Sequence, residues 1–126
     1  MEFVNLTRHT GIGSNCYWLS VGGKNIILDA GSDPKVDGIG STPDLRPLPP
    51  GTVDAIIITH AHQDHIGSLP VVTRQEQRCP IFMTPATAAI ATIMLHNSVN
   101  VMMRQREELG LMEYPLYTHR SVDLCA

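Results

Sequence analysis

The chain has 126 residues, 43% of them hydrophobic and 17% charged, the balance of an ordinary globular domain and not of a collagen, a coiled coil or a disordered tail. Its formal net charge of −3 supplies no broad positive field to draw in nucleic acid or an anionic membrane. The three cysteines, Cys16, Cys79 and Cys125, are odd in number, far apart and without a Cys-x-x-Cys pair. That excludes a disulfide framework or thiolate zinc knuckle and fits a reducing, cytoplasmic setting.

The first ten residues mix Glu2, Asn5, Arg8 and His9 with apolar ones and form no secretory signal. Cys16 to Val21 and Asn25 to Leu28 are β-forming runs on either side of Gly22-Gly23, a β-hairpin pattern. Ser32 to Pro50 is rich in Gly and Pro and has no period, so it is expected to be a long loop. Val53 to Thr59 is nearly continuously apolar, as in a strand covered on both faces by helices. Helical spacing follows through Glu76, with Pro70 in the first turn, and Pro80 to Met83 is a short strand. Thr84-Pro85 is an N-cap followed by proline at the first helical position. The helix it opens has an Ala-rich stretch to Leu95 and helix-like residues from Val99 to Leu109, with Gly110 as the stop. The longest apolar run, Ala55 to Ile58 with Val53 just before it, is far short of the roughly 18 residues of a membrane span, so no membrane segment is expected. Alternating strands and helices indicate an α/β fold.

The chemistry is concentrated in His60-Ala61-His62-Gln63-Asp64-His65, where three imidazoles and a carboxylate follow a buried strand. These are donors that borderline divalent ions such as zinc prefer, and a turn lets alternate side chains converge on one point while their neighbours serve another. By contrast, His9, His96 and His119 sit in no motif and read as solvent-facing or core-satisfied. Arg104 to Glu108 reads as a solvated helix face, and Met94, Met102, Met103 and Met112 as fillers of core gaps.

The stretch Thr59 to Gly67, with its His-x-His-x-Asp-His pattern, resembles the signature of the metallo-β-lactamase fold hydrolases, and Ile26-Ile27-Leu28-Asp29-Ala30-Gly31 resembles that family's first motif. Three further segments are similar to the β-CASP ribonuclease branch, which includes ribonuclease J-type enzymes and the pre-mRNA 3′-end cleavage endonuclease. They are Ser14 to Leu19, Thr84 to Thr87, and Tyr114 to Thr118 followed by Ser121-Val122-Asp123. The resemblance implies the amino-terminal half of an αββα sandwich, with His60 and His62 binding a first zinc, Asp64 and His65 a second, and Asp29 bracing the loop from behind. Asp64 is also a candidate to orient the nucleophile.

The family's remaining ligands fall beyond Ala126, so residues 1–126 are expected to be an incomplete part of a longer domain, with about 113–126 approaching the next metal motif. The resemblance further implies zinc-dependent hydrolysis of RNA phosphodiesters by the complete protein, with this chain inactive alone. Two other functions stay open: hydrolysis of a small thioester or lactone, and a non-catalytic half-domain that binds a partner chain, either a second copy or a complementing half.

Overall fold

The computed structural model describes residues 1–7, 14–33, 35–36, 38–76, 79–112 and 114–123; the expectations for His9 and Cys125 lie outside the described residues. A five-stranded sheet in the order β1-β2-β3-β4-β5 is made of β1 (Glu2–Asn5), β2 (Tyr17–Val21), β3 (Lys24–Leu28), β4 (Ala55–Ile57) and β5 (Ile81–Phe82). The first three strands pair antiparallel and the last two pairings are parallel. The hairpin of β2 and β3 closes through Gly22 and Gly23, whose φ values of 57° and 77° are those a tight two-residue turn with the strands' own twist requires. Strand β1 carries no alternation distinctive enough to identify it in the sequence; it is recruited by pairing with β2.

The helical run after the histidine-rich turn breaks into α1 (Gln63–Ile66) and α2 (Leu69–Gln75). The division falls at Gly67-Ser68, and Pro70 lies in the first turn of α2, where its missing N–H has no helical partner to lose. The Ala-rich and Met-rich stretches form one helix, α3 (Pro85–Leu109). Thr84 caps it by accepting a hydrogen bond from the Thr87 backbone N–H, and Gly110 ends it at φ 68°. A short α4 (His119–Asp123) then packs against both α2 and α3. Among the described residues of the 32–50 segment, the one regular element is a 3-10 turn at Gly38–Ser41. The segment is anchored by buried Leu48 and by the Gly38 N–H, which donates to the Tyr114 hydroxyl oxygen at 2.6 Å.

Strand β4 is not covered on both faces. Ile27 and Ile56, paired in register, are fully buried in the cluster that includes Ile66, Leu69, Val72, Leu95, Val99 and Val122. The opposite face carries Phe3, Leu19, Ile26 and Ala55 in one row and Tyr17, Leu28, Ile57 and Phe82 in the next. Among these, Phe3 is 62% and Phe82 56% exposed. The continuous apolar character of β4 therefore reflects one helix-covered face and one open apolar face.

Helix α3 buries Ala91, Leu95, Val99 and Met102, residues spaced three and four apart along one stripe. Met103 and Met112 are exposed, so of the four methionines read as core fillers only Met102 is fully buried and Met94 partly so. Residues 104 and 106–108 are exposed as expected. The expectation that no segment could span a membrane needs correcting, because Pro85–Leu109 is long and apolar enough to do so by length and composition. Counting uninterrupted apolar residues misses it, since neutral Thr, Ser, Asn and His punctuate the helix while its charges cluster at the end. Its buried stripe shows it docked as one layer of this fold.

An open sheet face of this kind favours association through apolar burial. The isolated 126-residue chain is expected to sediment as a self-associated species, and Phe3→Lys combined with Phe82→Lys to shift it toward monomer. Sedimentation velocity decides; a sharp monomer for the unaltered chain would contradict this.

Candidate metal centre

The histidine-rich turn leaves the carboxyl end of β4 and enters α1 without a side-chain cap. Its shape is imposed by a second segment, the end of β3, which lies alongside it. The Ala30 N–H donates to the His65 carbonyl at 2.8 Å, the Ser32 N–H to the Gln63 carbonyl at 2.9 Å, and the Ser68 N–H to the Ala30 carbonyl at 2.8 Å. The approach is close enough that a Cβ at Gly31 would sit 1.7 Å from the Asp64 carbonyl oxygen and 2.9 Å from the Asn15 nitrogen. Only glycine fits between them.

Asp29 holds the centre together. Its backbone is left-handed, φ 61°, a conformation that costs of order 1 kcal/mol for a non-glycine residue and that Asp tolerates better than most. The carboxylate is 4% exposed by residue and accepts three kinds of donor. The Thr59 N–H reaches Oδ1 at 2.8 Å, the Thr59 hydroxyl reaches Oδ2 at 2.8 Å, and His65 Nδ1 reaches Oδ2 at 2.7 Å.

These bonds determine tautomers. A carboxylate only accepts, so His65 carries its proton on Nδ1 and turns Nε2 outward as a lone pair. The Thr59 hydroxyl has spent its proton on Asp29, so its 3.1 Å contact with His60 Nδ1 makes His60 the donor there and leaves Nε2 of that ring bare as well. Rings oriented in this way from behind are what metal-binding histidines need.

His60, His62 and Asp64 bring one donor atom each within 4.8 Å of one another. The ring of His62 meets His60 edge-on at 4.8 Å between centroids, and that of His65 lies 3.7 Å from His60. His65 Nε2 is 3.7 Å from Asp64 Oδ2, beside the group of three. All four residues expected from the sequence therefore lie at one end of the sheet, with Asp29 behind them. The donor set, two or three imidazoles and a carboxyl group, fits a borderline divalent cation.

Asn15 is a contributor that sequence reasoning did not assign to the site. Its backbone N–H and its side-chain amide both donate to the Asp64 carbonyl, at 3.0 and 3.1 Å, and its Oδ1 accepts from the Tyr17 hydroxyl at 3.2 Å. No local pattern links two residues 49 apart; only the pairing of the segments does.

The match to the metallo-beta-lactamase superfamily runs over residues 9–88, more than half of the chain. The chain belongs to that superfamily. Among its relatives, Endoribonuclease ysh-1 of Neurospora crassa is 38% identical over 102 residues, 80% of this chain and 12% of the relative. The Cleavage and polyadenylation specificity factor subunit 3-I of Arabidopsis thaliana is 36% identical over 91 residues, 71% of this chain and 13% of the relative. These names agree with the branch that the sequence motifs resemble. The chain thus spans only about an eighth of the length of these two relatives. Human tRNase Z, short form, shares the fold at a TM-score of 0.53 and 22% identity, over 78% of this chain and 39% of that one. The expectation of a partial metallo-β-lactamase domain is borne out at the level of fold.

Next to Asp29, burial pushes the Cys16 thiol up to about 12, and the Asp29 charge adds to the rise. Cys79 is raised too, by burial and then by Glu76 and Asp54; both cysteines are free. A thiol raised in the folded state from its ordinary 9.0 contributes stability below that pH and loses it as the pH climbs through the folded value. Folding is therefore expected to weaken from pH 9 upward, and peptide-mapped alkylation at pH 8.5 to label Cys79 well before Cys16. Gly31→Ala is expected to cost about 1–3 kcal/mol in urea unfolding through overpacking, whereas Gly51→Ala, with open space around it, carries only its positive-φ strain.

Proposed function

We propose that the chain carries the first metal-binding part of a zinc-dependent endoribonuclease that hydrolyses RNA phosphodiester bonds. One observation carries this reading: His60, His62 and Asp64 converge within 4.8 Å, with the His60 ring held from behind by Thr59 and the neighbouring His65 ring by Asp29. The endoribonuclease names of the relatives favour RNA over a thioester or lactone.

In this reading His60 and His62 would hold a first zinc, while Asp64 and His65 would serve a second. Bound there, the ions supply Lewis-acid stabilisation of charge on a phosphoryl oxygen. The chain's own residues do the positioning. Asp29 fixes the proton on His65 Nδ1, Thr59 relays the same constraint to His60, and Asn15 pins the backbone of Asp64 so that its carboxylate faces the histidines and is available to orient a water. A leaving-group acid is not among these residues. The segment after Tyr114 leads toward the remaining ligands, and the chain alone is inactive. With a net charge of −3, RNA contacts depend on surfaces supplied by the rest of the protein.

Zinc binding by the chain is expected to be weak, because the ligand set is incomplete. In the full-length protein, His60→Ala or His62→Ala should abolish cleavage of a single-stranded RNA oligonucleotide. Thr59→Val should lower zinc affinity about 10–100-fold through the loss of ring orientation. Undiminished cleavage by both histidine variants, or stoichiometric zinc retained by the isolated chain after dialysis against a chelator, would refute the assignment.

A further inference from the structure

Two histidines outside the loop, His96 and His119, are not bystanders. His96, on α3, and His119, at the start of α4, lie 23 residues apart and meet with Nδ1 to Nδ1 at 2.7 Å, their ring planes 22° apart and their centroids separated by 5.0 Å. The far side of each ring is held by an oxygen. His96 Nε2 is 3.0 Å from Asp123 Oδ1, and His119 Nε2 is 3.1 Å from Asn100 Oδ1. A carboxylate oxygen and an amide carbonyl oxygen only accept, so each ring must place a proton on Nε2. In two neutral rings both Nδ1 atoms are then bare, with two lone pairs aimed at each other at hydrogen-bond distance. With the Asn100 carbonyl oxygen facing His119, a cation between the two atoms, a proton or a metal ion, satisfies both lone pairs at once.

We infer that His96 Nδ1 and His119 Nδ1 form a second cation site, separate from the loop centre, which takes a borderline divalent ion such as zinc and ties α4 to α3. The arrangement behind the rings is the one that orients metal-binding histidines, with the distal N–H given to a carboxylate in one case and to an amide oxygen in the other. Opening the pair from 2.7 Å to the roughly 3.3 Å implied by Zn–N bonds of about 2.0–2.1 Å in a tetrahedral shell needs a shift of a few tenths of an ångström in two side chains. The His96 side chain is 29% exposed, so an ion can enter and keep water on its open positions.

A proton is the competitor for the same space. It would turn one ring into an imidazolium, balanced by Asp123. Among the described residues the titratable groups facing His96 are His119 and Asp123, both from α4. On α1, which also packs against α3, the Asp64 carboxylate lies 3.5 Å from the Asn15 side-chain amide and 3.7 Å from His65 Nε2, and His65 Nδ1 is held by Asp29.

The site has a structural consequence. Between α3 and α4 the chain carries Tyr114, whose hydroxyl accepts from the Gly38 N–H, and Tyr117, whose hydroxyl donates to the Gly67 carbonyl at 2.7 Å. An ion joining His96 to His119 thus fastens the segment that grips both the 38–41 turn and the end of the histidine-rich loop.

The test silences the loop first. In the 126-residue chain carrying His60→Ala, His62→Ala and Asp64→Ala, zinc is titrated at pH 7.5 by calorimetry and copper(II) by electron paramagnetic resonance. One equivalent of zinc with micromolar affinity, and a two-nitrogen copper spectrum, is expected. Adding His96→Ala or His119→Ala should remove both signals, and Asp123→Asn should weaken zinc binding by about tenfold. Circular dichroism checks that each variant keeps its helix content, and His96→Gln replaces any alanine variant that does not. Affinity should fall on acidification as protons reclaim the pair. If the loop-silenced chain binds no ion, or binds it equally well without His96 and His119, the pair holds a shared proton only and the metal site is refuted.

Discussion

A buried carboxylate in a left-handed backbone, at the end of β3, sets the geometry of everything chemically active in this chain. Asp29 could satisfy its two oxygens with water if it were exposed; held inside, it must find donors, and the ones it finds are the Thr59 backbone and hydroxyl and a ring nitrogen of His65. A short charge-assisted bond of this kind is worth roughly twice a neutral one, which more than offsets the of-order-1 kcal/mol strain of the left-handed residue. The same bonds choose the tautomer of His65 directly and that of His60 through one hydroxyl. Ring orientation at the metal end is therefore determined on the opposite side of the rings, by a residue that offers no donor to the ion.

That arrangement requires two backbones to run side by side at very short range. The residues after β3 and the turn after β4 exchange amide hydrogen bonds from Ala30 to Ser68, and the parallel pairing of β3 with β4 delivers both to the same end of the sheet. Parallel neighbours end together, so side chains that follow them are brought into one place without any loop having to travel. Gly31 is the steric condition for that meeting, and Asn15, arriving from the start of β2, closes it from a third direction. The site is thus a junction of three strand ends, with rigidity borrowed from the sheet.

What the sequence disclosed follows from which forces are local. The hairpin glycines, the Thr84-Pro85 cap, the Gly110 stop and the density of ligands in His60 to His65 are signals within a few residues, and the structure keeps all of them. The break at Gly67-Ser68 was hidden because helical spacing continues across it, while the turn is dictated by the Ser68 N–H reaching to Ala30. Apolar continuity in β4 was read as two covered faces, but continuity reports only that both faces are apolar, and one of them is open. Asn15 against Asp64 and His96 against His119 were invisible for a related reason: partners 49 and 23 residues apart meet through strand and helix packing, which leaves no periodic trace.

The open sheet face and the cluster of donors belong to the same strands. In a layered α/β domain, helices on one side cover one face of a sheet, and the second face must meet another apolar layer. Here Phe3, Ile57 and Phe82 remain uncovered, while at the end of the same sheet His60, His62 and Asp64 converge. The chain's fold and its chemistry meet in the same strands: β3 and β4 bury Ile27 and Ile56 on one face, leave Ile57 on the other, and end where His60, His62 and Asp64 converge.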